Sequence, residues 1–439
     1  MNEISKYQSF EIMKSEVQTK EKKALFIGID VAKDQHVACM GDNFGYSDDK
    51  VFSFSNDSKG YEELLKRVGL KISDHDYVIF GVEATGGYEK ALSEYLHNKS
   101  YGVVRVPTVS VKRERELATG SWHKSDKRDT QAITRIMQRG VFQYYRFRDE
   151  HWENVDNLNR LNHLLTKRAK ILQTTIRVNI LPLIFPELNN YLQRLTTRFC
   201  EQLFQYYPSP HHIISISFEE FCDDMRNKAK ITKNLKTDLK RIYDLAQKSI
   251  GKNQNYGSSK TLELRYLAEQ LEMCQRQKRD VSKRIKHLLE THESFDLLQT
   301  IPGIGKKNAP VILSAIGDIN RFTHPNQLIS FFGLNLCYYQ SGKYEGQKKI
   351  SKLGDKKVRH ALWLGVHNIY HKEGTHFYEI WQRKTQGKTL SAVRKRKLKV
   401  MLMVKLTRII YSVLKNQTPY STSYQSEKDT LLQDQGALE

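Results

Sequence analysis

Hydrophobic positions along the chain follow two rhythms. Between residues 23 and about 150, short apolar runs alternate with amphipathic stretches. "ALFIGID" (24–30), "QHVACM" (35–40) and, after the turn-rich "GDNFGYSDDK", "VFSFSN" (51–56) read as three strands with short breaks, an antiparallel meander. "KGYEELLKRVG" (59–69) has apolar residues near i, i+3 and i+4 and ends on glycine, the pattern of a helix. "YVIFGVE" (77–83) reads as another buried strand, followed by a helix at 88–100 and a strand in "YGVVRVP" (101–107). These elements predict a mixed α/β domain over 23–150.

From 151 to about 293 the spacing becomes helical. "LNRLNHLLTKRAKILQTTIRVNIL" (158–181) holds its period until Pro182 and Pro186 break it. Further on, Leu264, Leu267, Leu271, Cys274, Lys278, Val281, Ile285 and Leu288 alternate spacings of three and four, a coiled-coil seam interrupted by one lysine. Self-association and an internal helical hairpin give the same pattern. The stretch from "YYPSPHHIISISFEEF" onward reads as a small helical insert, and 251–260 as a loop. Residues 294–416 form a third unit, helical and strongly basic. The polar residues 1–22 read as an extension, mobile or loosely docked, and 417–439 as a disordered tail.

Charge narrows the range of partners. The 439 residues carry 71 Lys and Arg against 49 acids, a formal charge of +22. That excess predicts a polyanionic partner, most commonly nucleic acid. Cysteines at 39, 200, 222, 274 and 337 show no metal-binding pair and no disulfide spacing, which fits a reducing, cytoplasmic setting. No apolar run reaches the roughly 18 residues of a membrane span, and the polar N-terminus is no signal peptide.

Candidate chemistry begins with acids in unexpected places. Asp30 and Glu83 each close an apolar strand, and neither has a basic neighbour in sequence. A carboxylate entering a core costs several kcal/mol unless it is paired, protonated or bound to a cation. For Asp30 taken alone, a strand that ends at residue 29 with Asp30 capping the turn gives the same string. If the two strands are neighbours, both carboxylates project at one sheet edge. Asp126 and Asp129, three apart at the head of a predicted helix, share one face of its first turn. Helix capping explains one or both of that pair. Converging carboxylates repel unless divalent cations intervene, and oxygen ligands suit Mg²⁺ or Mn²⁺.

Two basic signals lie further on. In "IPGIGKKNAPVILSAIG" (301–317), glycines before a helix would let backbone N–H groups reach a phosphate, with Lys306 and Lys307 adding charge. An ordinary helix connection gives the same string. Between Lys343 and Arg359 stand seven basic residues, Lys348, Lys349 and Lys352 among them, against two acids, with Tyr338, Tyr339 and Tyr344 nearby. Such a loop suits a nucleic-acid backbone. Ser341, before Gly342, reads by composition as a turn residue.

Six segments in order, "GIDVAKDQH", "GVEATGGYEKAL", "KSDKRDTQAI", "IPGIG", "FFGLNLCYYQSG" and "ISKLGDKKVRHAL", resemble the DEDD-type insertion-sequence transposases, the bridge-RNA-guided recombinases. The likeness spans roughly 23–145 and 295–365 onward. It implies a ribonuclease-H-like N-terminal domain similar to Holliday-junction resolvases, a helical coiled-coil middle and a C-terminal transposase domain. It implies that Asp30, Glu83, Asp126 and Asp129 bind the catalytic metal, and that Ser341 is a nucleophile forming a 5′-phosphoserine link to DNA. The implied partners are donor and target DNA, a structured non-coding guide RNA, and other copies of the chain in a tetramer built as a dimer of dimers. The implied setting is the nucleoid of a bacterial or archaeal cell. Thr130 departs from the usual pattern, where alanine is commoner, and the middle section is long. A structure-specific nuclease using the same acids and water differs from this only in the job of Ser341. A non-catalytic binder would have no need of all four acids. Actin-like sugar kinases also begin with a strand reading "GID", but "VAKDQH" supplies no phosphate loop.

Overall fold

The computed structural model describes residues 3–48, 50–83, 87–119, 125–192, 195, 198–229, 236–253, 257–337, 340–341, 344–345, 349–386 and 388–421. The chain forms two compact units, Met1–Arg148 and Asp149–Glu439.

In the first unit a six-stranded mixed sheet has the order β3-β2-β1-β4-β5-β6. It comprises β1 (Ala24–Asp30), β2 (Gln35–Asp42), β3 (Phe52–Ser55), β4 (Tyr77–Glu83), β5 (Gly102–Val106) and β6 (Gln143–Tyr144). The first three strands form the expected meander, because their connections are short. β4 pairs parallel with β1 and β5 parallel with β4, and parallel neighbours need crossovers. Helices α2 (Ser58–Gly69) and α3 (Glu89–Asn98) supply them. One face of the sheet presents Leu25, Ile27, Ile29, Phe80 and Val82 to Leu64, Val68, Leu92 and Leu96 of those helices. The opposite face presents Ala24, Phe26, Ile79, Val104 and Val106 to Ala132, Ile133, Ile136 and Met137 of α5 (Asp126–Gln138). Burial on both faces explains why β1 and β4 read as continuous apolar runs.

Of the extension expected to be mobile or loosely docked, Glu3–Gln18 forms a helix, α1, that docks on the sheet domain. Phe10 and Val17 are buried in the second of these cores, and Phe10 packs edge-on against Phe142. Lys14 Nζ donates to the Phe142 carbonyl, and Tyr77 donates its hydroxyl proton to Glu16. A helix α4 (Thr108–Thr119) precedes α5.

The second unit is helical. α6 (Glu150–Thr175) runs into a single π-turn at Ile176–Ile180, where the chain meets Pro182, and continues as α7 (Leu181–Ile184) and α8 (Pro186–Tyr191). The insert folds as α9 (Arg198–Tyr206), α10 (Pro210–Ile214), α11 (Phe218–Ala229) and α12 (Lys236–Lys248). α13 (Gly257–Leu289) is 33 residues long and starts inside the stretch read as a loop. Then come α14 (Glu293–Gln299), α15 (Ala309–Ile316), α16 (Pro325–Phe331), α17 (Lys356–Ile369), α18 (His376–Thr385) and α19 (Ala392–Asn416).

The heptad seam packs within the chain. Leu264, Ala268 and Leu271 share a core with Ala169 and Leu172 of α6, while Val281, Ile285 and Leu289 share another with Val155 and Leu165. α6 and α13 are therefore an antiparallel hairpin. The second of those cores continues into α14–α19, so helices on both sides of residue 293 share it within the second unit. Of the tail read as disordered, 422–439 lies outside the described residues. Among the described residues no helix is long and apolar enough to cross a membrane.

Candidate active site

Strand register aligns two of the four acids. β1 and β4 are matched through Ile29↔Val82, so Asp30 and Glu83 stand one residue beyond, at the same end of adjacent parallel strands. Alternation puts Asp30 on the face of Ala24 and Phe26, and Glu83 on the face of Ile79. Both therefore lie on the side covered by α5.

α5 brings the other pair toward that end. A Cβ on Gly28 would collide with the Thr134 backbone and hydroxyl and press on the Thr130 carbonyl; one on Gly41, the partner of Phe26, would press on Thr134 and Gln138. Moving from Phe26 to Gly28 thus runs backward along the helix, and α5 is antiparallel to β1. Its first turn, carrying Asp126 and Asp129, points toward the end of the sheet where Asp30 and Glu83 sit. The glycines allow this close approach, and at Gly81 a Cβ would meet the Met137 side chain.

The four carboxylates differ in surroundings. Glu83 is 8% exposed and has no ion-pair partner among the described residues. Asp30 is half-buried and Asp126 exposed. Asp129 is buried and pairs with Arg115 of α4, Nη1 to Oδ1 2.5 Å. A second pairing lies alongside: the buried Glu114 accepts from the exposed Arg139 at 2.5 and 3.1 Å and lies 3.3 Å from Arg135. Together they clamp α4 onto α5. The run "KRERE" in α4 carried the signal for these pairs, but alternating charges on a helix ordinarily mean a solvated face.

Ser125 is the N-cap of α5, accepting from the Arg128 N–H at 3.3 Å, and Asp126 and Asp129 lie in the first turn, where the helix dipole favours an acid. Thr130 donates its hydroxyl proton to the Asp126 carbonyl, so the unusual residue serves the same turn. Beside Asp30, the Ala32 N–H donates to His36 Nδ1 at 3.2 Å. That imidazole is buried against Phe54 and Tyr61, and burial pushes its pKa down. A neutral His36 thus fastens the turn that follows Asp30.

Among the described residues no three His, Cys, Asp or Glu stand close enough to form a ready metal cluster. The donor set nevertheless fits a hard cation: oxygen ligands, one of them a buried carboxylate without an ion-pair partner.

In the second unit, β7 (Leu336–Cys337) pairs with β10 (Lys349–Ile350), and β8 (Gln340–Ser341) with β9 (Tyr344–Glu345). Ser341 pairs with Tyr344, at the end of a hairpin. Lys343, Lys348, Tyr338 and Tyr339 lie outside the described residues. Lys349 and Lys352 are exposed. Arg359 has a structural use, since its Nη1 donates to the Phe332 carbonyl at 3.0 Å and the Gly354 carbonyl at 2.6 Å. Lys306 and Lys307 are exposed, but the glycine turn before them answers to packing: Gly303 has φ +85° and abuts the Gly365 carbonyl of α17.

Comparison with known proteins gives two family matches in chain order. A DEDD-type transposase model of the IS110 group matches residues 27–186, and the transposase IS116/IS110/IS902 family model matches 295–382. The chain is similar to a pilin gene-inverting protein of Moraxella bovis, 35% identical over 133 residues, which are 30% of this chain. That match spans only 40% of the relative's own length. It is also similar to the transposase for insertion sequence element IS1111A of Coxiella burnetii, 22% identical over 345 residues, 79% of this chain and 78% of the relative. A third relative is the transposase for insertion sequence element IS1328 of Yersinia enterocolitica, 30% identical over 110 residues, 25% of this chain and 28% of the relative.

Proposed function

The chain belongs to the IS110-type insertion-sequence transposases, and from that premise we propose that it cuts DNA and rejoins the strands to new partners. One observation carries the reading: Asp30 and Glu83 close neighbouring parallel strands on the face that α5 covers with Asp126 and Asp129. The strand order, a three-stranded meander extended by parallel strands, supports taking the sheet as ribonuclease-H-like.

In this reading Asp30, Glu83, Asp126 and Asp129 hold Mg²⁺ or Mn²⁺. The cation, when bound, neutralises charge on the scissile phosphate and polarises it toward attack. Arg115 holds Asp129 against α4, and the Ser125 cap fixes the first turn, so the carboxylates are set before DNA arrives. The Ser341 hydroxyl attacks the phosphorus, a serine phosphodiester forms, and the bond to the 3′-oxygen breaks with the proton passing to that oxygen. A 3′-hydroxyl of the new partner then attacks the serine ester and releases Ser341. Bond count is conserved, so no nucleotide hydrolysis is needed. The name of the Moraxella relative, a gene-inverting protein, agrees with cutting followed by rejoining. Donor and target DNA, a structured guide RNA and assembly as a tetramer belong to the same proposal.

The test replaces Asp30 by Asn and Glu83 by Gln, which removes a charged ligand at nearly constant volume. Recombination in Mg²⁺ should fall by about two orders of magnitude or more while nucleic-acid binding persists. Near wild-type recombination by either variant would refute the metal assignment.

A further inference from the structure

Beside the start of α19 lies a site that the strand-transfer chemistry does not use. A cavity of about 310 Å³ opens between α18 and α19, walled by Tyr370, Trp381, Gln382, Thr385, Lys388 and Lys395. The Tyr370 and Trp381 rings pack together, centroids 4.4 Å apart, and both are half-buried. Lys388 and Lys395 are exposed at its rim, with no carboxylate paired to either among the described residues.

The charge around this cavity is of one sign. From Arg383 to Lys415 the sequence has eleven Lys and Arg and no Asp or Glu. Arg394, Lys395, Arg396 and Lys397 are all exposed in the first turns of α19. Behind the aromatic wall, Lys399 is only 9% exposed. Its ammonium donates to His367 Nδ1 at 3.0 Å and sits 4.3 Å from the Tyr370 ring centre and 5.3 Å from that of Trp363. Among the described residues this buried cation meets a ring nitrogen and π faces and no carboxylate, a costly arrangement unless an anion is drawn to it.

We propose that this cavity seats one unpaired nucleotide of a single-stranded segment, RNA or DNA, with its base against Trp381 and Tyr370 and the neighbouring phosphates on Lys388 and Lys395. The inference rests on the reading that the chain works on nucleic acid and adds where an unpaired base is held. Aromatic faces accept any base by stacking, whereas Gln382 and Thr385 offer an amide and a hydroxyl to a base edge. The cavity is at the small end of ligand clefts and holds one nucleotide, not a duplex. A smooth basic surface would serve duplex phosphates without any aromatic wall.

The experiment uses the full chain and short fluorescent oligonucleotides of one sequence as single-stranded RNA, single-stranded DNA and blunt duplex. Trp381→Ala should weaken single-strand binding about tenfold or more, with duplex binding changed less than about twofold. Trp381→Phe, which keeps a stacking face, should stay near wild type. Loss with RNA alone assigns the nucleotide to RNA; equal loss with both strands assigns the site to either, and both results support the proposal. Unchanged single-strand binding in Trp381→Ala, or an equal loss for duplex, overturns it. Photo-crosslinking wild type to thio-substituted oligonucleotides should label the peptides holding Tyr370 or Trp381, and labels confined to 394–397 would also overturn it. If wild type binds duplex but Trp381 is indifferent, only the pocket fails; if wild type binds no nucleic acid, the broader reading fails with it.

Discussion

Arg115 and Asp129 form a buried ion pair 2.5 Å long between α4 and the first turn of α5. The Asp129 carboxylate is thereby held to α4, in the turn of α5 that points toward the end of the sheet where Asp30 and Glu83 close their strands. If Asp129 binds metal as proposed, a guanidinium and a divalent cation compete for the same oxygens, which makes the pair a test of that assignment.

Replacing Arg115 by Gln leaves a buried carboxylate short of its cation, a loss of roughly 3–5 kcal/mol for pairs of this kind. In chelator the variant should therefore melt well below wild type. Added Mg²⁺ or Mn²⁺ should raise its Tm by more than it raises that of wild type, since the metal then supplies the missing charge. Identical metal responses in thermal melts would show that Asp129 is no ligand.

Gly28 tests how α5 is held over β1. Its substitution by Val puts a Cβ against the Thr134 hydroxyl and backbone nitrogen, with two further methyl groups to place. Overpacking of this kind costs about 1–3 kcal/mol, and relief requires α5 to lift from the sheet. Chemical denaturation should report that loss, and recombination should fall more than stability alone explains because Asp126 and Asp129 move with the helix. Wild-type stability in Gly28→Val would mean that α5 does not pack this closely.

The elements that carry the candidate site are legible in the sequence, and the missing parts have physical reasons. Two apolar runs ending in acids marked β1 and β4, because strands buried on both faces must be apolar throughout. Their register was not legible, since parallel pairing joins residues some fifty positions apart through a helix. The Leu264–Leu288 seam gave its period but not its partner, because α6 of the same chain satisfies a heptad as well as a second copy does. Most residues of α1 are polar, which hides a helix whose buried stripe is carried by Phe10 and Val17, seven apart. Arg359 counted as one more cation in a basic loop until its guanidinium was found on the Phe332 and Gly354 carbonyls.

The second unit has its own pH dependence. Burial, aided by the charge of Glu272, raises the Glu201 pKa from its ordinary 4.5 to about 7. The native chain then binds this proton more tightly than the unfolded chain. Stability from Glu201 is complete below the unfolded value and is lost as pH rises through about 7. Glu201→Gln should flatten this fall and be the more stable protein on the alkaline side. Parallel denaturation curves for the two proteins across that range would contradict the assignment.

Ser341 decides between strand transfer and hydrolysis. A serine ester keeps protein and DNA joined between the two steps, whereas water as nucleophile leaves them separate. The direct measurement is electrophoresis of end-labelled DNA, incubated with the full chain, the proposed guide RNA and Mg²⁺, with and without protease. Wild type should accumulate labelled DNA that migrates with protein until protease is added. Ser341→Ala should bind both nucleic acids yet yield neither that species nor recombinant product. Cutting by Ser341→Ala at the wild-type rate, with no protease-sensitive species from either protein, would contradict the serine mechanism and make the enzyme a metal-dependent nuclease.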